Sequence, residues 1–218
     1  MIKAVIFDMD GLLIDSEPFW REAEKGALEK IGIPVKKEIT SETMGVRIDA
    51  LVEYWFKRYP WSGPSKKEVE LDIIRRVILM IKREGELMPG AREVLETFRK
   101  MDMPMAIASS SPIDIINSVL ERTLIAPYIR VVHSAQDELF GKPDPAVYIG
   151  ASKKLGISAG SCVAFEDSPN GVISAKSAGM RCVAVPSAGV EGDSAMEKAD
   201  LVIDSLLDFD ERSIMNFN

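Results

Sequence analysis

The chain has 218 residues, with 34 acidic against 27 basic side chains and a formal charge of −7. At 46% hydrophobic and 28% charged residues it can bury a core and cover it, which excludes disorder as the main state. The acidic balance argues against a nucleic acid or an anionic membrane surface as principal partner, since either demands a basic face.

The run Ile2–Phe7 is continuously apolar and stops at Asp8, which reads as a strand buried on both faces. It is too short for a signal peptide, and no segment approaches the roughly 20 apolar residues of a membrane span. From Ser16 to Gly85 the pattern turns helical. Glu17-Pro18 opens a helix with the stripe Trp20, Ala23, Ala27, Leu28 and Ile31, stopped by Gly32 and Pro34. A second helix is expected over Ile48–Tyr59. The turn Trp61-Ser62-Gly63-Pro64 leads to a third over Ser65–Glu84, which aligns Val69, Ile73, Val77 and Met80. Beyond it, apolar runs at Met105–Ala108, Val131–Val132, Cys162–Phe165, Cys182–Val185 and Leu201–Ile203 alternate with helical stretches. Those are Ala91–Lys100, Ile113–Leu120, Ala146–Leu155 and Val172–Ala178. Such alternation predicts right-handed crossovers and a mostly parallel sheet. The expected fold is α/β: a Rossmann-like core over 1–15 and 86–218, with an inserted α-helical cap over 16–85. Cys162 and Cys182 lie in apolar runs and read as buried thiols of a reducing compartment. A soluble, cytoplasmic monomer without nucleic-acid or membrane partners is expected.

In open parallel sheets, ligands bind beyond the carboxyl ends of the strands. Asp8-Met9-Asp10-Gly11 stands at the end of the first strand and Ser109-Ser110-Ser111 at the end of the second. Gly141-Lys142-Pro143-Asp144 follows the third, and Glu166-Asp167-Ser168 ends the fourth. Each alone has a plain reading, as a solvated turn, a helix cap or a helix start. Together they converge four carboxylates, hydroxyls and one lysine. Gathering Asp8, Asp10, Glu166 and Asp167 without a cation would be electrostatically costly, and a hard divalent ion such as Mg²⁺ relieves it. Lys142 then acts as a point charge toward the carboxylates and a bound phosphoryl group.

Asp8–Ser16, Ser109, Lys142-Pro143 and Glu166-Asp167-Ser168-Pro169-Asn170-Gly171 resemble, in order, the four motifs of the haloacid-dehalogenase-like hydrolases with a helical cap. Gly11–Trp20 and Pro60–Ser65 are similar to the 2-deoxyglucose-6-phosphate and hexitol phosphatases within that family. The resemblance implies Asp8 as nucleophile, forming an aspartyl-phosphate, and Asp10 as general acid and then base. It implies Ser109, the Ser110 N–H and Lys142 as phosphoryl contacts. It also implies Mg²⁺ on Asp8, the Asp10 carbonyl and Asp167, with Glu166 as a direct or water-mediated ligand. Asp10 separates the chain from dehalogenases and phosphonate hydrolases, which lack that acid.

The expected function is Mg²⁺-dependent hydrolysis of small sugar or sugar-alcohol phosphates. The alternatives are a β-phosphoglucomutase-like isomerase and a silent metabolite sensor. The mutases carry a cap histidine where this chain has Trp20, and the single histidine, His133, reads as structural. Thr43-Met44-Gly45-Val46-Arg47 is the candidate specificity loop, with Arg47 either meeting the substrate or lying on the surface at a helix start. Trp20, Tyr54, Trp55, Phe56 and Trp61 would line the pocket or form the cap's own core.

Overall fold

The computed structural model describes residues 1–35, 45–187, 189–190, 192–215 and 217. The sheet comprises β1 (Ala4–Phe7), β2 (Met105–Ser109), β3 (Ile129–Ser134), β4 (Cys162–Glu166), β5 (Arg181–Ala184) and β6 (Leu201–Val202). All neighbours pair in parallel, in the order β3-β2-β1-β4-β5-β6. From β1 the chain builds outward through β2 to β3, then returns to add β4, β5 and β6 on the other side. The order therefore reverses between β1 and β4, where a parallel sheet opens a crevice at its carboxyl edge.

Alternation along the strands divides the core into two faces. Val5, Phe7, Ile107, Val163, Phe165 and Val183 point to one face, and Ala4, Ile6, Ala106, Ala108, Ala164 and Ala184 to the other. The first face packs bulky residues from α4 (Ala91–Lys100) and α5 (Ile113–Thr123), including Phe98, whose ring stands 5.7 Å from that of Phe165. The second is made of small side chains. It packs Val147, Tyr148 and Ala151 of α6 (Ala146–Leu155) and Val172 and Ala175 of α7 (Pro169–Ser177).

Between β1 and α4 the described residues form α1 (Glu17–Lys30), α2 (Ile48–Arg58) and α3 (Lys66–Glu84). Ser65 closes a capping box on α3. Its hydroxyl accepts the Glu68 N–H while the Glu68 carboxylate accepts the Ser65 N–H. Ala23, Ala27 and Leu28 of α1 bury against Ile73 and Val77 of α3, joined by Leu51, Val52 and Trp55 of α2. The Trp55 indole donates to Glu24, which satisfies both buried groups. A short α8 (Arg212–Met215) follows the sheet. No described helix is long and apolar enough to cross a membrane, and both cysteines are buried free thiols.

Candidate active site

The Asp8 N–H donates to the Phe165 carbonyl at 2.9 Å, continuing the ladder between β1 and β4 by one residue. This seats Asp8 beside Glu166, the last residue of β4. Lys142, carried in by the turn before α6, donates to Asp8 Oδ1 at 2.5 Å and to Glu166 Oε1 at 2.6 Å. All three side chains are removed from water. Tyr148 of α6 donates to Glu166 Oε1 at 2.7 Å. Glu166 Oε2 accepts the N–H of Asp167 at 3.0 Å, and the N–H and hydroxyl of Ser168 at 3.2 Å each. Five donors thus surround one carboxylate.

Ser168 is also the cap of α7, its hydroxyl accepting the Gly171 N–H at 3.1 Å. The helix start and the site are the same residues. A side chain at Gly171 would put its Cβ 1.8 Å from Glu166 Oε1, so only glycine fits. Gly11 is constrained twice, by a φ of +78° and by a Cβ position 2.3 Å from Asp167 Oδ2.

Asp8, Glu166 and Asp167 offer carboxylate oxygens all within 4.8 Å of one another. One ammonium among three carboxylates leaves excess negative charge in a desolvated place. Burial first, then the charges of Glu166 and Asp10, push the Asp8 carboxyl up to about 7 against the pull of Lys142. Burial, then Asp8 and Glu166, hold Asp167 well above the usual carboxylate range. Burial opposes the Lys142 charge, but Asp8 and Glu166 outweigh it and keep the ammonium protonated beyond its ordinary range. A buried, all-oxygen donor set carrying surplus negative charge fits a hard divalent cation.

The Asp10 carboxylate turns away from this trio. Its Oδ1 accepts the Ser16 hydroxyl at 2.6 Å and the Trp20 indole N–H at 3.0 Å. Its Oδ2 accepts the hydroxyls of Ser111 at 2.7 Å and Ser109 at 3.3 Å. The Ser110 hydroxyl is buried and has no hydrogen-bond partner. Asp8, Asp10, Ser109, Ser110, Lys142 and Asp167 line one side of a cavity of about 60 Å³, with Glu17, Trp20, Arg21 and Val46 of the helical insert opposite.

Of the strand-end residues, Asp8, Glu166, Asp167 and Lys142 come together, whereas the Asp10 carboxylate, expected with them, bonds instead to Ser16, Trp20, Ser109 and Ser111. Arg47 is placed elsewhere: its guanidinium pairs with the Asp49 carboxylate through two 2.7 Å bonds. It also donates to the carbonyls of Ala135 at 3.0 Å and Glu138 at 2.8 Å. Thr43 and Met44 lie outside the described residues, while Gly45 and Val46 reach the cavity wall. Of the insert's aromatics Trp20 faces the cleft. Trp55 stacks on Tyr59, and Phe56 meets Trp61 edge-on at 4.7 Å, within the insert itself. His133 is buried in β3 with Nε2 on Glu138 at 2.6 Å and Nδ1 without a partner, away from the cavity lining. From sequence, Ser16 and Ser111 stand only within motifs and Glu17 only at a helix start, and Tyr148 and Arg21 carry no signal, so none of the five is given a role in the site. Ser16 ends the first motif and Ser111 completes a serine triplet, so position alone could have flagged both. A tyrosine in the apolar helix 146–155 gave no comparable signal.

A family model described as haloacid dehalogenase-like hydrolase matches residues 2–179. The chain is 36% identical over 215 residues to hexitol phosphatase B of Escherichia coli strain K12, covering 98% of this chain and 97% of that one. It is 32% identical to a probable pseudouridine-5'-phosphatase of Drosophila melanogaster, over 94% of this chain and 90% of the other. The crystal structure of β-phosphoglucomutase from Clostridium difficile superposes with a TM-score of 0.85 at 24% identity, covering 100% of this chain and 97% of that one. That last likeness is one of fold.

Proposed function

The chain belongs to the haloacid dehalogenase-like hydrolases and is a phosphoric monoester hydrolase, and from that premise we propose that its substrates are small sugar or sugar-alcohol phosphates, of the hexitol phosphate or 2-deoxyglucose-6-phosphate kind, cleaved through an aspartyl-phosphate. The observation that carries this reading is the placement of Asp8 against Lys142 on the floor of a cleft whose wall presents Asp10. Asp8 attacks phosphorus while the ester P–O bond breaks, and Asp10 gives its proton to the departing alkoxide. A water then attacks the aspartyl-phosphate, Asp10 takes its proton, and inorganic phosphate leaves with Asp8 restored. Lys142 holds Asp8 in line and offsets phosphoryl charge. The unpaired Ser110 hydroxyl, its N–H and Ser109 supply donors to the equatorial oxygens of a loose transition state.

Mg²⁺ would be held by Asp8, Asp167 and the Asp10 carbonyl, supplying charge neutralisation. Glu166, whose oxygens already accept five donors, would reach it through water. The insert over 16–85 acts as the cap on a core of 1–15 and 86–218. Its free buried thiols suit a cytoplasmic enzyme. The isomerase alternative needs a proton shuttle above Asp10, and the indole found there only donates. Inorganic phosphate released from a panel of hexitol, hexose and nucleotide phosphates, with Mg²⁺ and after EDTA, tests the reading. Phosphate-retaining isomerisation, or release unaffected by EDTA, would overturn it.

A further inference from the structure

Trp20 reaches Asp10 from α1, and its four neighbours there are not chemically equivalent. A serine hydroxyl rotates and can donate or accept, whereas an indole N–H only donates. Asp10 Oδ1 receives that indole at 3.0 Å, and Oδ2 lies between the hydroxyls of Ser111 at 2.7 Å and Ser109 at 3.3 Å. A proton on Oδ1 would weaken it as an acceptor for a donor that cannot turn away. A proton on Oδ2 asks only that hydroxyls reorient. Trp20, Ser109 and Ser111 all line the cavity, so Asp10 faces it, and the chemistry of its donors is what singles out Oδ2.

Resting on the reading of Asp10 as general acid, we infer that Trp20 is a positioning residue: from the helical insert it fixes the Asp10 carboxyl so that Oδ2 delivers the proton to the leaving alkoxide. The Oδ2–H bond breaks, the alcohol O–H forms and the ester P–O bond is cleaved. The indole neither gains nor loses a proton. Leaving-group protonation is thereby tied to α1 being seated on the core, since the donor that orients the acid belongs to the insert.

The dependence of rate on leaving group separates this role from a structural one. An alkoxide leaving a hexitol phosphate needs the proton; the stable anion leaving p-nitrophenyl phosphate hardly does. The measurement is kcat/KM on both substrates at saturating Mg²⁺ for wild type, Trp20→Phe, Trp20→Gln and Asp10→Asn. In Trp20→Phe the loss on hexitol phosphate should exceed the loss on p-nitrophenyl phosphate by up to about tenfold, the upper end of what a hydrogen bond to a neutral carboxyl contributes. Trp20→Gln, which keeps an N–H donor, should recover part of that difference. Equal losses on both substrates in both Trp20 variants, or no loss in either, with Asp10→Asn still selective, would overturn the inference and leave Asp10 as the acid. An Asp10→Asn protein with equal losses would remove the acid assignment and this inference with it. Should Trp20→Phe melt early by circular dichroism, Trp20→Gln carries the decision: a selective loss smaller than that of Asp10→Asn supports the role, and a uniform one rejects it.

Discussion

Asp8 has to be ionised to attack phosphorus, yet it is buried among like charges, and Lys142 is the only cation that touches it among the described residues. Asp8→Asn should lower turnover at least about a thousandfold, read as phosphate release, because removing the nucleophile removes the covalent route. The same variant should melt no lower than wild type in EDTA, since it takes a costly charge out of a desolvated site. The sign of the pH dependence follows from the raised Asp8 group. Its folded value of about 7 exceeds the ordinary 3.8, so the folded state binds the proton more tightly. Its contribution to stability is complete below 3.8 and is lost as pH rises through about 7. In EDTA the melting temperature should therefore fall between about pH 5 and pH 8, and added Mg²⁺ should raise it more at the upper end than at the lower. A gap independent of pH would place the ion elsewhere.

At the level of elements, strand ends and helix starts carry both structure and chemistry. Gly171→Ala drives a methyl into the Glu166 carboxylate and should cost several kcal/mol, read as a lower urea midpoint together with lost activity. A variant of wild-type stability would show that Glu166 can move aside. Ser168→Ala is milder, removing a cap worth about 1 kcal/mol and one of five donors to Glu166. The helices Ala91–Lys100 and Ala146–Leu155 were legible to the residue because their apolar stripes end with them. β3 was not: Val131–Val132 stood out as an apolar pair, whereas the ladder runs from Ile129 to Ser134. Arg130, His133 and Ser134 hide a strand whose pairing is set by the backbone. The charged core of the site was legible because Asp8, Glu166 and Asp167 each stand at the end of an apolar strand. The grip of Trp20 and Ser16 on Asp10 was not, since it depends on how α1 docks after the chain has turned.

Over the whole molecule, the insert and the core meet across the cleft, which is lined by Asp8 and Asp10 of the core and by Trp20 and Val46 of the insert. Arg47 is the strap between the two parts, holding Asp49 beside it and the carbonyls of residues 135 and 138 across the gap. Its cationic character was plain in the sequence; its target was not, because those carbonyls lie 88 and 91 residues away. Arg47→Ala should raise KM several-fold while moving kcat less, because the seated arrangement becomes less populated. Steady-state kinetics on a hexitol phosphate check this, and an unchanged KM would free Arg47 from that part.

The loop gripped by Arg47 ends in the turn that carries Lys142. Anyone grafting a foreign specificity region onto this scaffold would inherit a mismatch at that seam unless residues 135–140 travelled with the graft. Chimeras that exchange 16–85 alone should assemble poorly and recover when the matching loop is exchanged too, which makes the two stretches a single unit of inheritance despite their distance along the chain.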